Sequence, residues 1–344
     1  MIRSALFVRN SQPVIRSLLS KRTLRIALRA SKRFDPNSLF RSKPGTFVLQ
    51  TNKEIIMSVM EPAVFTVERA DGTSLTLRGT RYLPEGFSED GHSPVAVLFH
   101  GFGGNRIDFS GFVVQMAREL ASRGLVVVTY DRAGHGESDG TFFDTTVSGD
   151  VEDALQVVEQ ARHMSGCDPD NLHFAGLSLG AVICTLLAPK VPGQPKSIAL
   201  CSTATSYVDE IAGGHIQGKP LSAIEEQGYL DFMGVAMGPA MVEDAGRTDP
   251  YGMACGYRGK VLAIHGTKDF IPVDYIRRYE DVYGENMQLK VIEDGDHGFG
   301  NVKHRDMVMP LSVILWQSRQ VCKAGSFAPY RTSCQCTARI ICDL

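Results

Sequence analysis

Hydrophobic and polar residues alternate regularly from residue 63 onward. Residues 64–68 alternate between apolar and polar side chains, and residues 75–77 resume the alternation after an Asp71-Gly72 turn. A two-residue period interrupted by a turn dipeptide predicts an antiparallel β-hairpin, which we place at the edge of a sheet.

Farther along the chain, short apolar and β-branched runs alternate with helical stretches. The runs predict strands at 95–99, 125–130, 172–175, 198–201, 261–264 and 289–292. The stretches between them predict helices at 109–123, 147–164, 179–189, 273–283 and 304–318. This alternation favours one α/β domain with a buried, parallel sheet, which we expect to occupy residues 57–318.

The regular alternation lapses over residues 203–258, between two of the predicted strands. This insertion contains nine glycines and no run that is typical of a strand. One interpretation is a small helical cap that packs on the rim of the domain. The other is a pliable lid over a binding cleft.

The composition indicates a folded domain without a nucleic-acid partner. The chain has 344 residues, of which 43% are hydrophobic and 22% are charged. Residues 57–344 carry 24 basic and 36 acidic side chains, and this acidic balance disfavours nucleic acid. No apolar run approaches the roughly 20 residues that a membrane helix needs, so we expect no membrane span.

Basic residues dominate the segment 1–56, which has 12 Lys or Arg and only two acids, Asp35 and Glu54. Such a composition is typical of a mitochondrial transit peptide. The alternative is an upstream stretch that is not normally translated, because the composition becomes that of a globular domain near Met57. The first interpretation predicts a mitochondrial protein, and the second predicts a cytoplasmic one.

The eight cysteines fall into two groups. We interpret the dispersed group as reduced, buried thiols, which suit a reducing compartment. This group consists of Cys167, Cys184, Cys201 and Cys255. The other group lies in the segment 319–344 and consists of Cys322, Cys334, Cys336 and Cys342. Its spacing specifies a zinc site poorly, so we favour a disordered tail and predict no metal site.

A Gly-x-Ser-x-Gly string occurs at 136–140 and again at 176–180. The second serine, Ser178, follows an apolar strand and precedes a helix start rich in small and apolar residues. In this context the string forms a nucleophile elbow, whose glycines permit a strained turn and close packing of the helix. Ser138 lies in a polar, glycine-rich loop, so Ser178 is the predicted nucleophile.

Two backbone N–H groups are predicted to stabilise an oxyanion beside Ser178. The first belongs to Leu179, because a helix that begins there presents free N–H groups and a positive dipole end. The second belongs to Phe102, in the loop 100–105, where small residues let the backbone approach a substrate. We interpret His100 in the same loop as a structural residue.

A serine nucleophile needs a base, and the base needs a carboxylate that orients it. Asp269 and His297 follow the last two predicted strands, so both lie on loops at the carboxyl edge of the sheet. We therefore predict His297 as the base and Asp269 as its acidic partner. Asp274 and Asp296 are the alternatives for the acid.

The elbow, the oxyanion loop, the Asp loop and the His loop resemble the α/β-hydrolase superfamily over residues 63–318. Motifs that look most like intracellular cinnamoyl (feruloyl) esterases and serine-aminopeptidase-like hydrolases are His100-Gly-Phe-Gly-Gly-Asn105, Asp131-Arg-Ala-Gly-His-Gly-Glu-Ser138, His265-Gly-Thr-Lys-Asp269 and Gly295-Asp-His297. The resemblance implies an eight-stranded, mostly parallel sheet with helices on both faces. It also implies an inserted cap after the sixth strand, which matches 203–258.

The expected function is hydrolysis of a small-molecule carboxylic ester through an acyl-enzyme, without a cofactor. We expect an apolar or aromatic acyl group. The alternatives are a serine peptidase or aminopeptidase, an acylglycerol lipase, and a non-catalytic binding protein on the same fold. Because the insertion must cover the carboxyl edge, we predict that the acyl pocket is lined by Phe232, Met233, Met237 and Met241.

Overall fold

The computed structural model of the protein describes residues 58–317. The predictions for the basic segment 1–56 and for the cysteine-containing segment 319–344 lie outside the described residues. Within the described range, no helix is both long and apolar enough to cross a membrane. In the same range, no group of three or more His, Cys, Asp or Glu side chains is arranged to hold a metal ion.

Strands and helices alternate along most of the described chain. The strands are β1 (Val59–Glu68), β2 (Ser74–Leu83), β3 (Ser93–Phe99), β4 (Val126–Tyr130), β5 (Cys167–Leu177), β6 (Ser197–Cys201), β7 (His215–Ile216), β8 (Lys219–Pro220), β9 (Leu230–Phe232), β10 (Val235–Met237), β11 (Lys260–Gly266) and β12 (Met287–Ile292). The α-helices are α1 (Phe112–Ala121), α2 (Val147–Arg162), α3 (Leu179–Leu187), α4 (Tyr207–Ala212), α5 (Ser222–Gln227), α6 (Ala240–Ala245), α7 (Val273–Tyr283) and α8 (Val302–Gln317). Each strand and helix predicted from the sequence has a counterpart among the described residues, although several bounds differ by a few residues.

Eight of the described strands form one sheet, in the order β1-β2-β4-β3-β5-β6-β11-β12. The pairs β1-β2 and β2-β4 are antiparallel, so the hairpin lies at one edge as predicted. The remaining neighbours, from β4 through β12, pair in parallel. The carboxyl ends of these strands therefore meet at one edge, where open α/β sheets bind ligands.

Helices cover both faces of the sheet, and β3 illustrates how. Val95, Val97 and Phe99 belong to a buried cluster with residues of α2, α3 and α7. Ala96 and Leu98 belong to a second cluster with residues of α1 and α8. A fully buried large apolar side chain contributes about 1.5–3 kcal/mol, so a one-residue slip of this strand would be costly on both faces. This burial fixes the register of β3 in the sheet.

The insertion 203–258 differs from the prediction. It contains the short helices α4, α5 and α6, but also two small antiparallel hairpins, β7-β8 and β9-β10, where the sequence indicated no strand. The β9-β10 turn consists of Met233 and Gly234, whose φ values of 54° and 92° suit a two-residue hairpin turn. Strands of two or three residues are too short to show an alternating pattern, and this is why the prediction missed them.

The prediction that all four dispersed cysteines are buried is wrong for one of them. Cys167, Cys184 and Cys201 are free and buried, whereas Cys255 is free and exposed. Burial raises the pKa of the Cys201 thiol to about 12 and that of Cys167 to about 11, so both stay protonated at neutral pH. Cys255 is exposed because it lies in a run of turns at the end of the insertion, outside the packed layers.

Candidate active site

Ser178 lies in a sharp turn between β5 and α3. Its backbone has φ 57° and ψ −120°, a conformation that residues with a side chain rarely adopt. The Ser178 N–H donates to the carbonyl of Cys201 (2.9 Å), and its own carbonyl accepts from the N–H of Ala204 (3.2 Å). These two bonds tie the strained turn to β6 and to the segment that follows it.

Gly176 and Gly180 occupy positions of this turn where a side chain would collide with backbone. A Cβ on Gly180 would lie 2.1 Å from the carbonyl oxygen of Phe99. A Cβ on Gly176 would lie 2.3 Å from the carbonyl oxygen of Gly180. The two glycines therefore allow the first turn of α3 to pack directly against the end of β3, as the sequence predicted.

His297 lies between Ser178 and Asp269. Its Nε2 is 2.9 Å from Ser178 Oγ, and its Nδ1 is 2.8 Å from Asp269 Oδ1. When Nδ1–H donates to the carboxylate, Nε2 carries the lone pair that can accept the serine proton. The structure thus brings together the three side chains, which come from the loops after β5, β11 and β12.

The carboxylate of Asp269 is fully buried. Burial raises its pKa, but the hydrogen bond and charge of His297 and the N–H of Ile271 (2.9 Å) outweigh this effect, so the pKa lies below its ordinary value. His265 Nε2–H donates to the carbonyl of Ile271 (2.8 Å) and fixes this turn. Asp269 is therefore ionised at neutral pH and can stabilise a positively charged imidazole.

The two alternative acids lie in other surroundings. Asp274 is in the first turn of α7, where it is exposed and lies 3.7 Å from Arg277. Asp296 accepts a hydrogen bond from the N–H of Gly300 (2.6 Å) and so shapes the turn after His297. Their positions favour Asp269 as the partner of the imidazole.

The hydroxyl of Ser138 is hydrogen-bonded to backbone groups on two sides. Its hydroxyl donates to the carbonyl of Asp131 (2.6 Å) and accepts from the N–H of Arg78 (2.8 Å). It thereby ties the loop after β4 to β2, away from the imidazole that contacts Ser178. The arrangement favours Ser178 as the nucleophile.

The loop after β3 packs directly against the elbow. A Cβ on Gly101 would lie 3.4 Å from the Cβ of Ser178, so the backbone of this loop passes beside the hydroxyl. Phe102 and Leu179 line the same cleft as Ser178. Leu179 is the first residue of α3, so its N–H has no partner within the helix. Both predicted oxyanion donors therefore lie next to the predicted nucleophile.

The loop that carries His297 is held by α8. Arg305 of this helix is buried, and its guanidinium donates to the carbonyls of Phe299 (3.0 Å) and Phe109 (3.1 Å). Phe299 follows His297 closely, whereas Phe109 belongs to the segment after the oxyanion loop. A single side chain therefore connects two sides of the site.

A narrow cleft opens beside Ser178. Its walls come from the loop after β3, the start of α3, the insertion and the loop after β11. Most of the lining is apolar, and the side chains concerned include Phe102, Tyr207, Ile216, Met241 and Phe270. Glu210 is the carboxylate among the lining residues. The cleft thus suits a small group that is mainly apolar.

The four insertion residues predicted to line the pocket have different positions. Met241 lines the cleft. Phe232 lies one layer behind it, where its ring is 4.7 Å from that of Phe102, and Met237 is buried in the same core. The prediction is wrong for Met233, which is 76% exposed. Met233 occupies the tip of the β9-β10 hairpin, and this turn position directs its side chain to solvent.

The sequence reasoning missed Phe270 and Arg305. The ring of Phe270 lies 4.3 Å from the imidazole of His297 and is 56% exposed. Its place directly after Asp269 was a signal that an apolar side chain would border the site. Arg305 gave no such signal, because its partner Phe109 is 196 residues away in the sequence.

Comparisons with known proteins agree with this fold. A family model described as serine aminopeptidase, S33, matches residues 91–226. An uncharacterized protein of Mycobacterium tuberculosis is 28% identical over 185 residues, which is 53% of this chain and 60% of that protein. Lipase 1 of Psychrobacter immobilis is 29% identical over 129 residues, or 36% of this chain and 38% of the lipase. The chain thus spans less than two thirds of the length of these relatives.

Solved structures also resemble this domain, among them Est1E and a mouse protein. Est1E from Butyrivibrio proteoclasticus, determined with ferulic acid bound, superposes with a TM-score of 0.66 at 22% identity and covers 74% of this chain and 98% of its own. Mouse alpha/beta hydrolase domain-containing protein 10 superposes with a TM-score of 0.57 at 17% identity. The superposition covers 72% of this chain and 96% of the mouse protein. The sheet and these similarities define an α/β-hydrolase fold. The family model matches less than half of the chain.

The packing at the elbow predicts that Gly180→Ala destabilises the protein. The added methyl group would meet the backbone of β3 at 2.1 Å, and backbone cannot move aside as a flexible side chain can. We expect the free energy of unfolding to fall by roughly 1–3 kcal/mol or more in urea denaturation. Gly246→Ala is the control, since its Cβ would approach no atom closer than 3.5 Å. Equal stability of the two variants would contradict this account of the elbow.

Proposed function

We propose that the protein is a serine hydrolase that cleaves carboxylic esters through an acyl-enzyme. The observation that carries the proposal is the chain of contacts from Ser178 Oγ to His297 Nε2 (2.9 Å) and from His297 Nδ1 to Asp269 Oδ1 (2.8 Å). This geometry is that of a nucleophile, a base and an orienting acid.

In the first half-reaction, Ser178 Oγ attacks the ester carbonyl carbon while its proton passes to His297 Nε2. The carbonyl oxygen becomes an oxyanion, and the N–H groups of Phe102 and Leu179 donate to it. Asp269 stabilises the imidazolium that forms. When the oxyanion collapses, the bond to the alcohol oxygen breaks, and His297 returns its proton to the departing alcohol.

In the second half-reaction, a water molecule attacks the acyl-enzyme. His297 takes a proton from this water, and the same two N–H groups stabilise the second oxyanion. Collapse of that intermediate releases the carboxylic acid, and His297 gives its proton back to Ser178 Oγ. Every proton is moved by a residue of this chain, so the proposed reaction requires neither a metal ion nor a cofactor.

The character of the cleft supports an apolar or aromatic acyl group on a small-molecule ester. Apolar side chains such as Phe102, Ile216 and Met241 line the cleft beside Ser178. The similarity to Est1E, which was determined with ferulic acid bound, supports an acyl group of the same chemistry. The family match to hydrolases fits a small-molecule substrate as well.

An aminopeptidase is the second candidate, because the matching family model carries that description. Such an enzyme must bind the free amino group of a peptide, and Glu210 is the carboxylate of the cleft. Both oxygens of Glu210 already accept hydrogen bonds, from Ser206 Oγ (2.8 Å) and from the N–H of Gln217 (2.6 Å). These bonds use one lone pair of each oxygen, and the mainly apolar lining of the rest of the cleft favours an ester over a peptide with a free amino terminus.

Ser178→Ala is expected to abolish ester hydrolysis, with a loss in kcat of as much as roughly 10⁶-fold. The matched control is Ser138→Ala, which removes a hydroxyl from the other Gly-x-Ser-x-Gly string and is expected to keep most of the activity. The measurement is release of a chromophore from aryl acetates and aryl esters of larger acids. Loss of activity in the Ser138 variant with retention in the Ser178 variant would refute the proposed nucleophile. Failure of the wild-type protein to cleave any substrate in a panel of simple esters, acylglycerols and aminoacyl amides would favour a binding protein.

Met241→Ala is expected to change acyl preference more than it changes turnover of an acetyl ester. Met241 lines the cleft, and loss of one apolar contact changes discrimination by about 1–3 kcal/mol. The comparison is the ratio of kcat/KM for an aromatic acyl ester to kcat/KM for the acetyl ester. Met233→Ala is the matched control, because Met233 is 76% exposed at the hairpin tip. An equal shift in both variants would place the acyl pocket elsewhere.

A further inference from the structure

Arg132 lies in the motif 131–138, and its side chain has no part in the reaction steps described above. We propose that Arg132 is a positioning residue that holds the carbonyl of Gly101 and thereby aims the N–H of Phe102 at the oxyanion. This inference rests on the proposed serine hydrolase function. The supporting observations are the hydrogen bonds to the Gly101 carbonyl, the orientation of the Phe102 N–H in the same peptide unit, and the buried contacts of Arg132.

The carbonyl oxygen of Gly101 accepts three hydrogen bonds. Arg132 Nη2 donates to it at 2.8 Å, His100 Nδ1 at 2.8 Å and the N–H of Gly104 at 3.2 Å. A carbonyl oxygen has two lone pairs, so these donors occupy it fully. The direction of this carbonyl is therefore fixed more firmly than that of an ordinary loop residue.

The same peptide unit contains the N–H of Phe102. In a trans peptide the C=O and the N–H point in opposite directions within one plane, so donors that hold the carbonyl also orient the N–H. Gly101 packs against Ser178, and Phe102 lines the cleft that contains Ser178. Among the described residues, the N–H of Phe102 donates to no backbone carbonyl. It is thus directed away from Arg132 and free to bind a developing oxyanion.

Arg132 is itself fixed from two sides. Its guanidinium is 1% exposed and forms an ion pair with Asp150 of α2, whose carboxylate is 2% exposed. Its backbone N–H donates to His100 Nε2 (3.1 Å). His100 must then be neutral with its proton on Nδ1, and burial together with the charge of Arg132 lowers its pKa well below the usual value. His100 and Arg132 therefore act together on the Gly101 carbonyl.

Burying the ion pair costs desolvation free energy, which apolar side chains filling the same space would not cost. A buried ion pair can often be replaced by apolar residues of similar volume without loss of stability. In addition, Arg132 Nε is buried without a hydrogen-bond partner among the described residues. A planar guanidinium, however, can bind a carboxylate and a backbone carbonyl at the same time, which an apolar side chain cannot do. Compared with an apolar side chain of similar volume, Arg132 therefore provides an additional hydrogen bond, which holds the Gly101 carbonyl.

The test combines a charge-neutral double variant with a matched control. Arg132→Met together with Asp150→Leu removes both charges, so no unpaired charge is left in the core. Arg162→Met is the control, since Arg162 is also buried and donates to the carbonyls of Pro169 (2.9 Å) and Pro192 (2.8 Å), away from Ser178. Thermal unfolding reports on the fold of each variant. Ester kinetics and the affinity for phenylboronic acid, whose serine adduct carries an oxyanion-like B–O⁻ group, report on the site.

Loss of one oriented oxyanion donor is expected to lower kcat by roughly 10²–10³-fold with little change in KM. Affinity for phenylboronic acid should fall with kcat, whereas the Arg162 variant should keep both. A folded double variant with wild-type kcat, or one in which only KM rises, would overturn the inference. If the double variant does not fold, the variant to measure is Arg132→Lys, which keeps the positive charge but lacks the planar guanidinium. An unchanged kcat in that variant would also refute the inference. Absence of activity in the wild-type protein would instead refute the proposed function, and the inference with it.

Discussion

The close approach of α3 to the end of β3 is the constraint on which the rest of the site depends. Gly180 permits it, because any side chain there would overlap the carbonyl oxygen of Phe99. The approach places Ser178 in a strained turn at the carboxyl edge of the sheet, with the first N–H groups of α3 on one side and the loop after β3 on the other. The imidazole of His297 reaches the hydroxyl from the loop after β12. Had α3 lain farther from β3, the hydroxyl and the two amides would not share one cleft.

Three buried charged side chains stabilise the loops around Ser178, and each of them binds a partner of opposite charge or a backbone carbonyl. Asp269 is ionised beneath His297, Arg132 pairs with Asp150 beneath the loop after β3, and Arg305 joins backbone carbonyls from two loops. Burial makes such contacts expensive to break, because the remaining partner would be left without compensation. The loops at this edge are therefore held rigidly, although they lack regular secondary structure. Rigid donors and acceptors are what electrostatic stabilisation of a transition state needs.

Much of the fold could be predicted from the sequence because short apolar and β-branched runs alternate regularly with helical stretches. The turn that carries Ser178 could also be predicted, because a strand, a Gly-x-Ser-x-Gly turn and an apolar helix follow one another directly in the sequence. The structure of the insertion could not be predicted in the same way, because hairpin strands such as Leu230–Phe232 are too short to show a hydrophobic period. The exposure of Met233 depends on its position in a turn, which the sequence did not indicate. The contact of Arg132 with Gly101 joins residues 31 apart, and no local pattern encodes such a distance.

The central claim is that Ser178 is an activated nucleophile beside two oxyanion donors. The most direct measurement is reaction of the native protein with a fluorophosphonate, followed by mass spectrometry of its peptides. A serine is modified rapidly by this reagent only if a base activates it and donors stabilise the phosphoryl oxygen. The account predicts one stoichiometric adduct, on Ser178, that does not form after denaturation. No adduct on the native protein, or an adduct on Ser138 in place of Ser178, would contradict it.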